Sequence, residues 1–429
     1  MQSYVNDFSF AKRTSWSLQH NPLTELLEKL RSQGISILDL TESNPTRCGF
    51  EYPLHWLDAL SLEENLIYTP AAEGMPTARQ AIADYYNNLS FPHVLSGNPE
   101  NAISGPPIKT FGGDKGSKLD PQRVVLTSST SEGYSFLLKL LTNPGDHILI
   151  PKPSYPLFQF LLELHDVEFN YYPLAYDGNW SINQKVFKSL ITRRTRAVIV
   201  VNPNNPTGSY ISRQDMEFLN EQCLKNHMAI ISDEVFFDYK FNVGCRDEAT
   251  CGERSRTMPR LYNNNDVLTF TLSGISKILG LPQMKLAWIV VHGPEVLVKA
   301  AMQRLEVVAD TYLSVNTPVQ NALPTWLAQS AKIQKQILQR VRENLEILRR
   351  GTAWELLSAE GGWYAVMQVP SIQSEEQFVL NLLDKEHVLV HPGYFFDFEK
   401  GGFLVISLLP KTEILAEAIE RIYRRIQVL

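Results

Sequence analysis

The chain has 429 residues, 44% hydrophobic and 20% charged, the composition of a globular protein long enough for two domains. Its formal net charge of -6 argues against nonspecific nucleic-acid binding, which needs Lys and Arg to neutralise phosphates. The apolar runs are strand-sized, so no membrane partner is expected, and the polar stretch Met1–Trp16 lacks an export-type apolar core, which points to the cytoplasm.

Seven short β-rich runs are predicted between Asp120 and His292. They are Arg123–Thr127, His147–Ile150, Glu168–Tyr172, Ala197–Val201, Met228–Ile231, Val267–Leu272 and Leu286–Val291. Most are apolar on both faces, as in a buried sheet flanked by helices. Helical patterns lie between some of them. One covers Ser131–Leu141, stopped by Asn143-Pro144-Gly145, and another covers Ser212–Asn226, with Ser212 and Asp215 as a capping pair. Alternating strands and helices imply an α/β domain with a largely parallel sheet, although periodicity does not give the strand order.

Two connections, Ser90–Lys118 and Phe241–Asp266, are long and polar, and read as insertions or mobile surface segments. Beyond Ala309 the pattern changes. A helical stretch from Pro318 to Arg350, strands at Gly362–Val369 and Phe403–Leu408, and a closing helix at Glu413–Ile426 predict a smaller α+β domain. The cysteines Cys48, Cys223, Cys245 and Cys251 are scattered. Cys245 and Cys251 could pair, but four free thiols are the simpler expectation. No His and Cys cluster at metal-ligand spacing is present.

Several segments carry chemistry only in combination. A lysine after a strand, such as Lys277, is usually a solvated cation. Asn205-Pro206-Thr207-Gly208 is a turn sequence. Asp233 at a strand end can cap a loop, Thr127–Ser131 can cap a helix, and Tyr155 can be a core residue. In chain order, however, Asn205–Gly208, Asp233-Glu234-Val235-Phe236 and Ser273-Gly274-Ile275-Ser276-Lys277 followed by Gly280-Leu281-Pro282 form a recognisable series. It resembles the core of pyridoxal-phosphate aminotransferases of class I/II, the fold type I enzymes.

The resemblance implies a large cofactor-binding domain over residues 51–315, with a mostly parallel seven-stranded sheet. Residues 316–429 would form the small domain, joined by an N-terminal segment, 1–50. It implies pyridoxal 5'-phosphate as cofactor, with Lys277 as its Schiff-base lysine and general base. Asp233 would pair with the pyridine nitrogen and Asn205 with the phenolic oxygen. Ser129, Thr130 and Ser131, at a helix start, would bind the phosphate. Ser276, Phe236 and Lys285 would also contact the cofactor, and Tyr155 would stack on its ring. Tyr68 would reach the phosphate of a neighbouring subunit, making the protein a homodimer with a shared active site. The implied activity moves an amino group from an amino acid or amine to an oxo acid.

Four positions depart from the family pattern. Phe236 replaces a tyrosine, Lys285 an arginine, and Gly274 a serine. Val405, in Phe403-Leu404-Val405-Ile406-Ser407, stands where an arginine clamps the substrate carboxylate. Arg47, in Ser43-Asn44-Pro45-Thr46-Arg47, is the candidate substitute, with Ser43 beside it, and Arg79 is read as a structural ion-pair partner. A lyase or decarboxylase on the same fold, or a non-catalytic ligand-binding homologue, are the alternatives.

Overall fold

The computed structural model describes residues 9–89, 118–241, 260–351, 354–370 and 374–427. Most of the two long polar connections, with Cys245 and Cys251, lies outside the described residues. Cys48 and Cys223 are buried free thiols.

β1 (Leu38–Asp39) lies apart from the main sheet. That sheet contains β2 (Val124–Thr127), β3 (His147–Lys152), β4 (Glu168–Tyr176), β5 (Trp180–Ile182), β6 (Thr195–Val201), β7 (Ala229–Asp233), β8 (Thr269–Gly274) and β9 (Ala287–His292). Its order is β2-β9-β8-β7-β6-β3-β4-β5. The pairs β3–β4, β3–β6, β6–β7 and β7–β8 are parallel. β9 runs antiparallel to both β2 and β8, so those two point the same way.

All seven expected strands form. The sheet has eight because β5, three residues folded back antiparallel on β4, extends its edge. Trp-Ser-Ile is too short to show a period, and its edge position leaves it only partly buried.

The sheet is covered on both faces. Ile199, Ile231 and Phe270 face the helices Thr130–Leu141 and Glu295–Tyr312, whereas Val198, Val200 and Ile230 face Arg213–Asn226. Burial on both sides is why these strands read as continuous apolar runs. The Arg213–Asn226 helix starts as expected, with the Ser212 hydroxyl oxygen accepting from the Asp215 amide at 3.0 Å.

β10 (Glu355–Leu356), β11 (Tyr364–Gln368), β13 (His391–Pro392) and β14 (Phe403–Ser407) form an antiparallel sheet in the order β10-β11-β14-β13. β1 pairs in parallel with β12 (Val388–Leu389), so the N-terminal segment joins the C-terminal part of the chain. The single helical stretch expected over 318–350 is two helices, Thr317–Ala328 and Ser330–Arg349. Gln329 leaves helical geometry between them (φ -113°, ψ 9°). The first helix can then seat Trp326, whose indole N–H donates to the Trp56 carbonyl at 3.0 Å. Among the described residues no helix is long and apolar enough to cross a membrane.

Candidate active site

β2, β3, β6, β7 and β8 share one direction, and their carboxyl ends deliver the chemistry-bearing residues to one place. Open α/β sheets bind ligands at this edge. Ser129, Thr130 and Ser131 follow β2, Tyr155 follows β3, Asn205 follows β6, Asp233 ends β7, and Ser276 and Lys277 follow β8. All of these, with Ser43, Phe236 and Tyr364, line one cavity of about 190 Å³.

The Lys277 amine lies against two aromatic rings, 5.2 Å from the centre of Phe236 and 4.9 Å from that of Trp363. Burial pushes the amine down to about 8, against the opposing pull of the Asp233 charge. The Tyr239 phenol donates to the Lys277 carbonyl at 2.5 Å and holds the backbone there.

Asp233 is pushed the other way. Burial raises its carboxyl to about 6, opposed by hydrogen bonds from the Val235 amide and the Tyr134 phenol and by the Lys277 charge. The amide donates to Oδ1 at 3.2 Å and the phenol to Oδ2 at 3.0 Å.

The part of the cavity lined by Ser129, Thr130 and Ser131 suits an anion. Ser129 caps the Thr130–Leu141 helix by accepting from the Glu132 amide at 3.1 Å, and Glu132 accepts from the Ser128 amide at 2.6 Å. Helix capping, the simple reading of this loop, therefore holds. It is compatible with anion binding, because the first-turn amides of a helix lack intrahelical partners.

Pyridoxal 5'-phosphate matches the donor set around this cavity. The buried Asn205 Oδ1 has no hydrogen-bond partner, which marks an amide arranged for a polar group in the cavity. Hydroxyls, helix amides, an acid and a partly deprotonated amine complete the set.

Gly274 now has a packing reason. A Cβ there would meet Ala287 Cβ at 2.8 Å and Leu286 O at 3.0 Å, so the close approach of β8 and β9 excludes serine.

Three proposed site residues are not brought to the cavity wall within this chain. Tyr68 is 69% exposed, Arg47 is exposed on a short 3-10 turn, and Lys285 is exposed with a left-handed backbone (φ 53°). Arg79 pairs with Glu73 at 2.6 Å, as expected.

Val405 is fully buried in β14 among Leu357, Val366 and Phe396. Its cross-strand neighbour His391 is driven by burial down to about 4, so its imidazole is neutral near pH 7. No arginine lines the cavity among the described residues.

Tyr134, Phe158, Trp363 and Tyr364 at or beside the site escaped the sequence reading. Tyr364 hydrogen-bonds Ser43, and its phenol is pushed up to about 12 by burial. The only sequence hint was the aromatic pair Trp363-Tyr364 after Gly361-Gly362; Tyr134 lies on a helix where nothing marks it.

The fold is that of the fold type I enzymes. Pyrococcus furiosus alanine aminotransferase superposes with a TM-score of 0.79 at 22% identity, covering 98% of this chain and 100% of that one. Thermotoga maritima aspartate aminotransferase gives 0.75 at 20%, covering 97% and 99%.

The family of aminotransferase class I and II matches residues 55–422, and the chain belongs to it. It is an aminotransferase. It is 27% identical to Haemophilus influenzae glutamate-pyruvate aminotransferase AlaA over 92% of each chain. It is 26% identical to Mycobacterium tuberculosis alanine aminotransferase over 94% of this chain and 88% of that one.

Proposed function

We propose that the cavity holds pyridoxal 5'-phosphate and transfers the amino group of an amino acid to an oxo acid. The observation that carries this reading is the meeting of Lys277, Asp233 and Asn205, whose Oδ1 has no hydrogen-bond partner, around one cavity. When bound, the cofactor supplies an aldehyde and an electron-withdrawing ring that makes the substrate α-proton acidic.

Lys277 would secure the aldehyde carbon and, once displaced by the donor amine, would take the proton from the substrate α-carbon and deliver it to the former aldehyde carbon, the relocation that amino transfer requires. Asp233 keeps a proton on the ring nitrogen. With its amide turned so that Nδ2 takes the place of Oδ1, Asn205 would donate to the phenolic oxygen, Ser129, Thr130, Ser131 and Ser276 would hold the phosphate, and Tyr155 would cover the ring and exclude water. Phe236 supplies an apolar wall in place of a phenol.

A homodimer belongs to the same reading, with Tyr68 reaching the partner's site and Lys285 near the phosphate. The exposure of Tyr68 beside exposed Leu66 and Ile67 favours it. A cytoplasmic location, a large domain over 51–315 and a small domain over 316–429 joined by residues 1–50 also belong to this reading. Cell fractionation tests the location.

The names of the relatives favour alanine or glutamate as donor. The neutral hydroxyls of Ser43 and Tyr364 are then the groups available to its carboxylate. A second reading, a donor amine lacking that carboxylate, is favoured by buried Val405 and by the placement of Arg47 outside the cavity wall. Borohydride reduction of the cofactor-loaded protein should leave a mass label on the peptide carrying Lys277; a label elsewhere, or none, overturns the proposal. Comparing alanine with alaninamide and isopropylamine as donors then separates the two readings. An Arg47→Ala chain with unchanged donor KM removes Arg47 from the site.

A further inference from the structure

We propose that Tyr134 is a positioning residue for the reaction, holding the Asp233 carboxylate charged and oriented toward the ring nitrogen of the cofactor. This rests on the reading of the cavity as a pyridoxal 5'-phosphate site. Tyr134 is not on the cavity wall and comes from a different element than Asp233. Its neighbour Gly133 lets the Thr130–Leu141 helix lie close to the sheet, since a Cβ there would sit 2.7 Å from Leu272 Cδ2. That approach brings the phenol to 3.0 Å from Asp233 Oδ2.

The Tyr134 ring is itself fixed. It is 3% exposed and packs edge-on against Phe158, centroid to centroid 5.4 Å, and Phe158 lines the cavity. Burial holds its phenol protonated, so it remains a donor throughout the working pH range. With the Val235 amide on Oδ1, each carboxylate oxygen has one donor from the protein.

Hydrogen bonds donated to a buried carboxylate favour its charged form against the pull of burial. Remove the phenol, and burial favours the neutral acid. A neutral acid cannot balance a positive charge on a ring nitrogen. Tyr134 therefore acts on the cofactor through Asp233 without touching it.

The test compares cofactor affinity in wild type and Tyr134→Phe, using pyridoxal 5'-phosphate and an analogue with carbon in place of the ring nitrogen. Losing a hydrogen bond to a charged group predicts roughly tenfold or greater weakening for the natural cofactor. Affinity for the analogue should stay within about twofold, because it offers Asp233 no partner. In an Asp233→Asn background, Tyr134→Phe should add no further loss.

Equal loss with both molecules would show a merely structural role and overturn the proposal, as would no loss at all. Tyr134→Leu carries the same comparison should the Phe chain not fold. If wild type never captures the natural cofactor on Lys277, both this inference and the cofactor reading fall. If capture is normal and Tyr134→Phe binds as wild type does, only the role of Tyr134 falls.

Discussion

Replacing Asp233 with Asn should change the pH at which Lys277 captures an aldehyde. In wild type, burial brings the amine from 10.5 to about 8. A drop of about 2.5 units makes the reactive free amine about 300-fold more abundant at pH 7 than on an ordinary lysine. Asp233, with its carboxyl at about 6, is charged at pH 8 and opposes part of that drop. Asn removes the opposing charge, so the midpoint should fall further, by on the order of one unit.

The assay mixes cofactor-free protein with pyridoxal 5'-phosphate from pH 6 to 11 and follows the onset of absorbance. The wild-type rate should pass its midpoint near pH 8 and level off by roughly pH 9, and the variant should do both at lower pH. A wild-type rate still rising at pH 10, or a higher midpoint in the variant, refutes the reasoning. The same shift has a stability consequence. The penalty for a charged Lys277 is present below about pH 8. Between about 8 and 10.5 the unfolded chain retains a proton the folded chain has lost, so stability of the cofactor-free protein rises with pH across that window.

Phe236→Tyr should lower the pH midpoint of the bound cofactor's absorbance by about one unit, the value of a new hydrogen bond to a charged group; an unmoved midpoint rejects the idea that Phe236 withholds a donor. Gly274→Ser should destabilise the cofactor-free protein by about 1–3 kcal/mol in urea titration, because its Cβ would press on Ala287 and Leu286. Ser212→Ala should cost about 1 kcal/mol in the same titration, by leaving the Asp215 amide without its cap.

The buried strands were legible because burial on both faces forces continuous apolar runs, and β6 and β7 carry Val198, Ile199, Ile230 and Ile231 on alternating sides. β5 was not, since three edge residues carry no period. The division of 318–350 was hidden because both helices keep the same apolar spacing across Gln329. The candidate site residues at strand ends, such as Asp233 and Lys277, stand in local motifs. Tyr134 and Tyr364 do not, because a helix and a distant strand bring them in through tertiary packing.

The loss of a cation at position 405 and the character of its surroundings are coupled. A guanidinium there would sit among Leu357, Val366 and Phe396, beside an imidazole that burial keeps neutral. A buried charge without a partner costs several kcal/mol, so arginine at 405 would need a bound carboxylate or a more polar wall to be tolerated. Apart from that neutral imidazole the surroundings of Val405 are apolar, so the neighbourhood as a whole, and not one side chain, is unsuited to a guanidinium. On the proposed reading, donor recognition would then rest on the neutral hydroxyls of Ser43 and Tyr364 and on shape. Neutral donors discriminate weakly between a carboxylate and an amide of the same size, whereas a guanidinium discriminates strongly. On that ground, alanine and alaninamide should differ less as donors here than in an aminotransferase that keeps the arginine.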